Sequence, residues 1–514
     1  MGEVDEADDP VDDRVPEGHK GVKRSHCETD DRVLEEHPHP QHHLLIGQVR
    51  RLRASPRLLV QPRFSVSYRC PLRLNRGGFA TAQVAHGGRR LERRDVAVLG
   101  GGVAGLTAAY LLRDLDLEVF DSADHIGGRT RSLQQSDGIW LNTGAQYVST
   151  DRVKVVELAD KVGARLLRDD NLEEYWRGLY PRDPDSRSEI ESCIERITAE
   201  QMDRRPPTLP ELDDLAFDQW LGEVSPDAHR FFDRWCQIMN SGSSVEISLY
   251  GALWLWGDQR STPWSDQPVP RHDRGDCVFD GGTNEFTKAL ARGIGGRVSL
   301  RSRVVSVRPT DGGYAIEVEE DGGTRRVLAR LVVSALPAPV AADVIVDLPG
   351  WKSAALRAVR YGRFMTTNIV VSPKDAPPSR YPLTAARADV AYNLDAFIIK
   401  TPGDFDERGG CFHNIVGDPT SRVVWDDPDH TIKTGTLREL FRQRPEYRER
   451  VVRVEVQRWP HGMPLYSVGR MKTFDQLAEP VGGIHFCGDY SWASNMEGAA
   501  LSGERAAQAL RAQA

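Results

Sequence analysis

Gly100, Gly102 and Gly105 stand in G-x-G-x-x-G spacing between an apolar run, Asp95 to Leu99, and a helix-forming stretch that opens at Val103. A strand, turn and helix of this kind can hold a pyrophosphate. Gly100 permits the sharp reversal, Gly102 lacks the Cβ that would keep the backbone from a phosphate, and Gly105 lets the helix pack closely on the strand. The phosphates then meet unpaired N–H groups and the positive end of the helix dipole, with Ala104 in the same turn. A second apolar run, Leu117 to Phe120, ends at Asp121, about twenty positions past the first glycine, where a carboxylate accepts the ribose hydroxyls. Ser122 follows it. These residues point to a bound dinucleotide.

Gly127, Gly128, Arg129 and Thr130 decide which one, since an NAD domain has no need of a glycine pair and an arginine just past the ribose acid. Here the chain resembles the flavin-containing amine oxidase superfamily, which includes protoporphyrinogen oxidase-like and phytoene desaturase-like enzymes. The resemblance recurs at 141–147, LNTGAQY, where Asn142 replaces the more usual aspartate, and at 483–507, GIHFCGDYSWASNMEGAALSGERAA. It implies FAD, and since the cysteine that tethers the flavin of monoamine oxidases has no match around Met463, the FAD is expected to be noncovalent. The resemblance places Gly144, Ala145 and Gln146 beside the flavin ring, Gly488 and Asp489 on the ribityl chain, and Met496 at the start of a helix aimed at the N1/O2 edge. A helix N-terminus there stabilises the negative charge of reduced flavin. The residue matching Val304 contacts adenine through its backbone.

The implied fold class is α/β: a Rossmann-like FAD-binding domain with a β-meander, interleaved with a mixed α+β substrate domain. The FAD-binding domain is expected over 94–150, 276–345 and 470–514, and the substrate-binding domain over 151–275 and 346–469. Within them the pattern predicts helices over Val153–Leu167 and Ser186–Met202, and a helix capped by Thr283 or Asn284 and stopped by glycine. It also predicts strands over Val298–Arg308 and Tyr314–Glu319, a turn at Asp321 to Gly323 with a return strand, then strands over Leu331–Ala335 and Thr367–Val371. Trp220, Trp235, Trp254, Trp256 and Trp264 read first as core of the helical segment, with some left to line a pocket. Residues 1–93 are acidic, then rich in histidine and proline, then in arginine, without a steady apolar period, and are expected to be a disordered extension. His37, His39, His42 and His43 lie in it and read as adventitious chelators, so no metal site is expected.

The formal charge of −8 gives no reason to expect nucleic acid as a partner. Seven cysteines are scattered singly, with no CxxC, which argues against a disulfide framework and for a reducing, cytoplasmic compartment. No uninterrupted apolar run is long enough for a membrane span. Arg93 and Arg94 loosely mimic an export signal but open the dinucleotide fold, and read as the first strand.

Flavin chemistry asks the protein to position a C–H bond, exclude water and tune the charge of the ring. An amine must also be neutral to react, which an apolar pocket encourages. The candidate pocket residues are His461, Tyr490, Trp492 and Asn495. Asn495 immediately precedes the flavin-directed helix, where monoamine oxidases carry an aromatic, and Thr366 or Thr367 matches their lysine beside N5. The expected partners are a small-molecule substrate and an electron acceptor, O2 or another oxidant. Three functions are open: oxidation of an amine or amino-acid-type C–N bond, desaturation or dehydrogenation of an apolar or polycyclic substrate, and flavin binding without turnover.

Overall fold

The computed structural model describes residues 92–134, 140–149, 153–168, 183–203, 210–258, 276–372, 383–384, 396–399, 410–443 and 445–513. They belong to one compact unit, Ala80–Ala514. The expected extension and its histidines lie outside the described residues up to 91. Glu92 and Arg93 do not belong with it, because they pair with Val327 and Leu328 and begin the first strand.

The elements run β1 (Glu92–Leu99), α1 (Val103–Leu111), β2 (Leu117–Phe120), β3 (Ser132–Gln134), β4 (Trp140–Asn142), β5 (Val148–Ser149), α2 (Val153–Val162), β6 (Leu166–Arg168), α3 (Pro184–Asp203), α4 (Phe217–Leu221), α5 (Pro226–Asn240) and α6 (Leu249–Asp258). There follow β7 (Asp276–Phe279), α7 (Asn284–Gly293), β8 (Val298–Ser299), β9 (Arg303–Thr310), β10 (Gly313–Glu320), β11 (Gly323–Ser334), α8 (Ala338–Val344), α9 (Gly350–Ala358) and β12 (Tyr361–Val371). The chain closes with β13 (Leu383–Thr384), β14 (Ala396–Ile399), β15 (Gly410–Gly417), α10 (Thr420–Val423), α11 (Asp429–Gln443), β16 (Val451–Pro464), α12 (Phe474–Ala478), β17 (Ile484–Phe486) and α13 (Met496–Gln513).

The first sheet has the order β8-β2-β1-β11-β10-β9, with β17 also on β11. β8, β2, β1 and β11 run parallel in that order, as do β11 and β17, while β9, β10 and β11 form the antiparallel meander. The return strand and the Leu331–Ala335 strand are one element. β11 pairs with β10 over Gly323–Ala329, and its last residues take β17 on the same edge. One face is covered by α1, α2, α7 and α13 around Val96, Val98, Leu106 and Leu290. α13 approaches α1 so closely that a Cβ on Gly503 would overlap the Ala104 carbonyl. The other face packs Leu99, Phe120, Val304 and Ile316 with α8, α9 and α12.

The second sheet has the order β13-β14-β15-β12-β16. One face buries Ile369 and Phe412 with Leu440 of α11, and the other sets Val370 and Cys411 on Leu141 of β4. Helices α3 to α6 enclose a separate aromatic core of Phe217, Phe232, Trp235 and Tyr250, joined by Tyr466. Trp264 and the side chains of Trp254 and Trp256 lie outside the described residues.

Three expectations are corrected. The strand expected over Val298–Arg308 is two, β8 on β2 and β9 on β10, divided by the left-handed Arg301 (φ 51°). The helix expected to reach Leu167 stops at Val162, because Gly163 turns left-handed (φ 71°) and Leu166–Arg168 joins β7 as strand β6. Thr283 precedes α7 without capping it, and its hydroxyl instead donates to the Ala145 carbonyl at 2.9 Å. Among the described residues no helix is long and apolar enough to cross a membrane.

Candidate active site

The glycine turn has the geometry that its spacing implies. Gly100 is left-handed (φ 103°), with a Cβ position 3.0 Å from the Ala335 carbonyl oxygen, and a Cβ on Gly105 would overlap the Gly100 carbonyl. Only hydrogen fits at either. At Gly102 nothing lies within 4 Å of a Cβ, so the backbone there faces open space, as a cradle for phosphate requires. Asp121 Oδ2 accepts the Gly101 N–H at 2.7 Å and Oδ1 the Ala123 N–H at 2.8 Å, which fixes the carboxylate beside the turn. Burial raises its pKa, and the two N–H donors oppose that rise. Ser122 is exposed, and Val304 is buried in the meander core.

At the other end, Arg129 and Asp489 pair with each other. The guanidinium reaches both carboxylate oxygens, at 2.7 and 2.8 Å, and also donates to the Gly462 carbonyl at 2.9 Å. The glycine-pair loop, β16 and the C-terminal motif thus meet at one side chain. Burial would lower the Arg129 pKa, but the Asp489 carboxylate leaves it raised. Gly128, also left-handed, lies beside Gly102, its Cβ position 3.7 Å from the Gly102 Cα.

The loop 141–147 is held from several sides. A Cβ on Gly144 would overlap the Arg129 carbonyl, which also accepts the Ala145 N–H at 2.8 Å. Asn142 Oδ1 accepts from the Ser132 hydroxyl at 2.7 Å and from the Thr283 N–H at 3.0 Å, while Nδ2 donates to the Gln146 carbonyl at 3.4 Å. An aspartate could not make that last bond, which accounts for the asparagine. Gln146 Nε2 donates to the carbonyls of Asn142 at 3.1 Å and Gly144 at 2.6 Å. The Thr143 carbonyl receives Trp459 Nε1 at 2.7 Å and the Thr366 hydroxyl at 2.9 Å, so the second sheet is fastened to the loop.

The four pocket candidates separate. His461 is partly buried, packs edge-on against Tyr361 with ring centroids 5.2 Å apart, and has its pKa lowered by burial and by Arg129. It lies beside the Arg129–Asp489 junction, next in the chain to Gly462, whose carbonyl Arg129 reaches. Tyr490 is fully buried in the core of the first sheet, with its hydroxyl pKa driven up by desolvation. Trp492 packs on the helical core, with Arg505 5.2 Å above its ring. Neither geometry shows a pocket floor. Asn495 Oδ1 accepts the Gly498 N–H at 2.8 Å, so this side chain caps α13. Met496, the first helical residue, packs on the core of the sheet.

Three residues escaped sequence reasoning. Glu497 braces α2, Arg470 is buried with donors on the carbonyls of Leu465 and Tyr490 at 2.9 and 2.7 Å, and the Tyr361 hydroxyl accepts the Ala338 N–H at 3.2 Å. For Glu497 a signal existed: an acid beside a helix N-terminus commonly braces something.

The residues present fit FAD: an open backbone cradle at Gly102, an oriented acid at Asp121 and, among the described residues, unpartnered buried acceptors at Gln146 Oε1 and Ser334 Oγ. Fold and site together define a dinucleotide-binding flavoprotein. The family described as flavin containing amine oxidoreductase matches residues 103–511, and the chain belongs to that family. It is similar to the flavin-containing amine oxidase of Danio rerio, 23% identical over 455 residues, or 80% of this chain and 85% of that one. It is 30% identical over 167 residues to putrescine oxidase of Kocuria rosea, covering 29% of this chain and 35% of that one. Among solved structures, a double mutant of putrescine oxidase shares the fold with a TM-score of 0.67 at 21% identity, over 82% of this chain and 100% of that one. Cyclohexylamine oxidase from Brevibacterium oxydans gives 0.63 at 17% identity, over 82% and 99%. The protein is an FAD-dependent oxidoreductase of the amine oxidase type.

Proposed function

We propose that the protein oxidises the C–N bond of a small amine or amino-acid-type substrate, releases an imine, and passes the electrons to dioxygen as hydrogen peroxide. FAD supplies the two-electron acceptor at N5. Gly100, Gly102, Ala104, Gly105, Asp121, Ser122 and Val304 hold its nucleotide half. Gly128, Arg129, Gly144, Ala145, Gln146, Gly488, Asp489 and Met496 hold the flavin half without a covalent bond. The observation that carries the reading is the junction of Arg129 with Asp489 and Gly462, since two segments that resemble the family's flavin motifs, 127–130 and 483–507, meet there against β16. In this arrangement residues 151–275 and 346–469 form the substrate domain. His461, with its lowered pKa, stays neutral around pH 7 and can take a proton from the substrate nitrogen.

One observation favours a second reading. Thr366, one of the two residues matched to the lysine of monoamine oxidases, spends its hydroxyl on the Thr143 carbonyl. An acceptor other than oxygen and an apolar substrate would suit such a site. The test is anaerobic mixing of the yellow holoenzyme with benzylamine, putrescine, cyclohexylamine and polyprenes, followed by air. Bleaching by an amine and stoichiometric peroxide on reoxidation are expected, and acid should release all the flavin as FAD. Bleaching by a polyprene alone would establish desaturation, and no bleaching by any compound would leave a flavin-binding protein.

A further inference from the structure

Arg470 stands on the same two segments that Arg129 joins. Arg129 holds the Gly462 carbonyl and the Asp489 carboxylate, and Arg470 donates to the carbonyls of Leu465 at 2.9 Å and Tyr490 at 2.7 Å, three residues beyond the first and one beyond the second. A longer contact, 3.4 Å, reaches the Pro464 carbonyl. Arg470 is 6% exposed, and its guanidinium lies against the rings of Tyr466 and Phe474, 4.5 and 5.7 Å from their centroids. Among the described residues it makes no ion pair, and its buried Nε has no hydrogen-bond partner.

Burial pulls its pKa down, but an arginine keeps its proton in a protein, so the charge stays. The carboxylates that it feels are Asp489 and Asp213. Asp489 is already matched by both arms of the Arg129 fork, and Asp213 spends Oδ2 on the Met471 N–H at 2.6 Å. Arg505 repeats the pattern one residue further along. It donates to the Ser491 carbonyl at 3.3 Å and hydroxyl at 2.9 Å, lies 5.2 Å from the Trp492 ring, and has the Cys487 thiol and Tyr490 hydroxyl as electrostatic neighbours in place of a carboxylate. The C-terminal motif therefore carries two guanidiniums without an ion-pair partner beside the neutral Arg129–Asp489 pair. A buried cation without a partner is costly, and sites that carry one are commonly functional.

We propose that Arg470, assisted by Arg505, is the counter-charge for the reduced flavin and raises the reduction potential of the bound FAD; the inference rests on the flavin half lying at the Arg129–Asp489 junction, as proposed above. Uptake of a hydride equivalent, two electrons and one proton, leaves the flavin with one negative charge. A fixed positive charge in a dry, aromatic setting stabilises that state over the neutral oxidised one. The bonds to Leu465 and Tyr490 fix where the charge stands, so Arg470 acts through its field and needs no contact with substrate.

Dye-equilibrated reduction of the holoprotein reads the potential directly. Arg470→Gln should lower the equilibrium constant for two-electron reduction by roughly tenfold, the scale of one unit charge across a protein interior, which is about 30 mV for a two-electron couple. Arg470→Lys keeps the charge but loses the fork, and should return most of the shift. Since only the reduced cofactor loses a partner, Arg470→Gln should release reduced FAD more readily by the same factor while holding oxidised FAD as the parent does. An unchanged potential in Arg470→Gln, or an equal fall in the Gln and Lys variants, would overturn the inference and leave Arg470 as a tie between two loops. If Arg470→Gln yields no flavoprotein, Arg505→Gln decides, because that side chain is only partly buried: a lowered potential supports the counter-charge, and the parent's potential overturns it. Arg129→Met with the parent's FAD affinity and flavin spectrum would take the flavin away from the junction and overturn the placement itself, whatever Arg470 does to the potential.

Discussion

Removing the Glu497 carboxylate should destabilise the protein far more than removing its neighbour Glu504. Glu497 stands in the first turn of α13, yet its oxygens accept the N–H groups of Lys154 and Val155, each at 2.8 Å, at the start of α2. Those donors have no partner within their own helix, and the carboxylate lies at its positive end. Glu497 is 6% exposed, so water is poorly placed to substitute. Glu497→Ala leaves two buried N–H groups unmet, at about 1 to 3 kcal/mol each, or roughly 2 to 6 kcal/mol together. Glu497→Gln keeps one acceptor and turns an NH2 toward the other donor, and should fall between. Glu504 also meets α2, through Lys154 Nζ at 2.9 Å, but its side chain is 24% exposed. Such pairs contribute about 0 to 1 kcal/mol, so Glu504→Gln should hardly register. Thermal melts of the holoproteins by circular dichroism, with FAD release followed by fluorescence, give the order. Equal melting temperatures for Glu497→Ala and Glu504→Gln would refute the brace.

Lys352 is fully buried, with Nζ on the carbonyls of Gln476, Leu477 and Glu479 at 2.7, 3.0 and 2.7 Å and 3.8 Å from the Phe486 ring centre. Burial pulls its pKa down from 10.5 to about 7, against the pull of Glu479. Between those values the unfolded chain binds more protons, so the parent should gain stability as pH rises from 7 to 10, by up to roughly 4 kcal/mol. Lys352→Met should lose that slope in denaturation curves, and an unchanged slope would return the lysine to its ordinary pKa. Asn495→Ala should cost about 1 kcal/mol as a lost helix cap, while Asn495→Asp restores it and both keep the parent's substrate profile. A changed substrate profile with no change in melting would put Asn495 back in the pocket.

The nucleotide end was legible because its requirements are local. Gly100, Gly102, Gly105 and Asp121 act through turn geometry and short spacing, and they stand as the spacing implied. The end of α2 was equally local, since Gly163 is a signal that a helical period reaching Leu167 overrides on paper. Tyr490, Trp492 and Asn495 were harder. They share a short run before α13, but the 3₁₀ turn at Asp489–Ser491 and the unusual backbone of Trp492, φ −146° and ψ −84°, send them to a sheet core, a helical core and a helix end. Closeness in sequence to a flavin motif does not fix side-chain direction where the backbone turns at each residue. Arg129 and Asp489 were both expected at the cofactor, and their pairing over 360 residues of chain has no local signature.

The second sheet shows why the rest of the chain resists reading. Thr366 and Thr367 are adjacent hydroxyls in an apolar strand, and either matches the family's lysine position. Only register separates them, because a slip of one residue exchanges the two faces of a strand. The pairing of Thr366 with Ile415 and Gln457 turns its hydroxyl to Thr143, while Met365 and Ile369, on the opposite face, meet the side of α11. The same register sets Asn368 opposite His413, an asparagine and a histidine 45 positions apart with nothing in their surroundings to join them. What this face presents is therefore a property of how β12, β15 and loop 141–147 are stacked. A substitution that shifted β12 by one residue would replace Asn368 with Thr367 or Ile369 over the loop, and so break its contact with His413 while leaving every flavin motif in place.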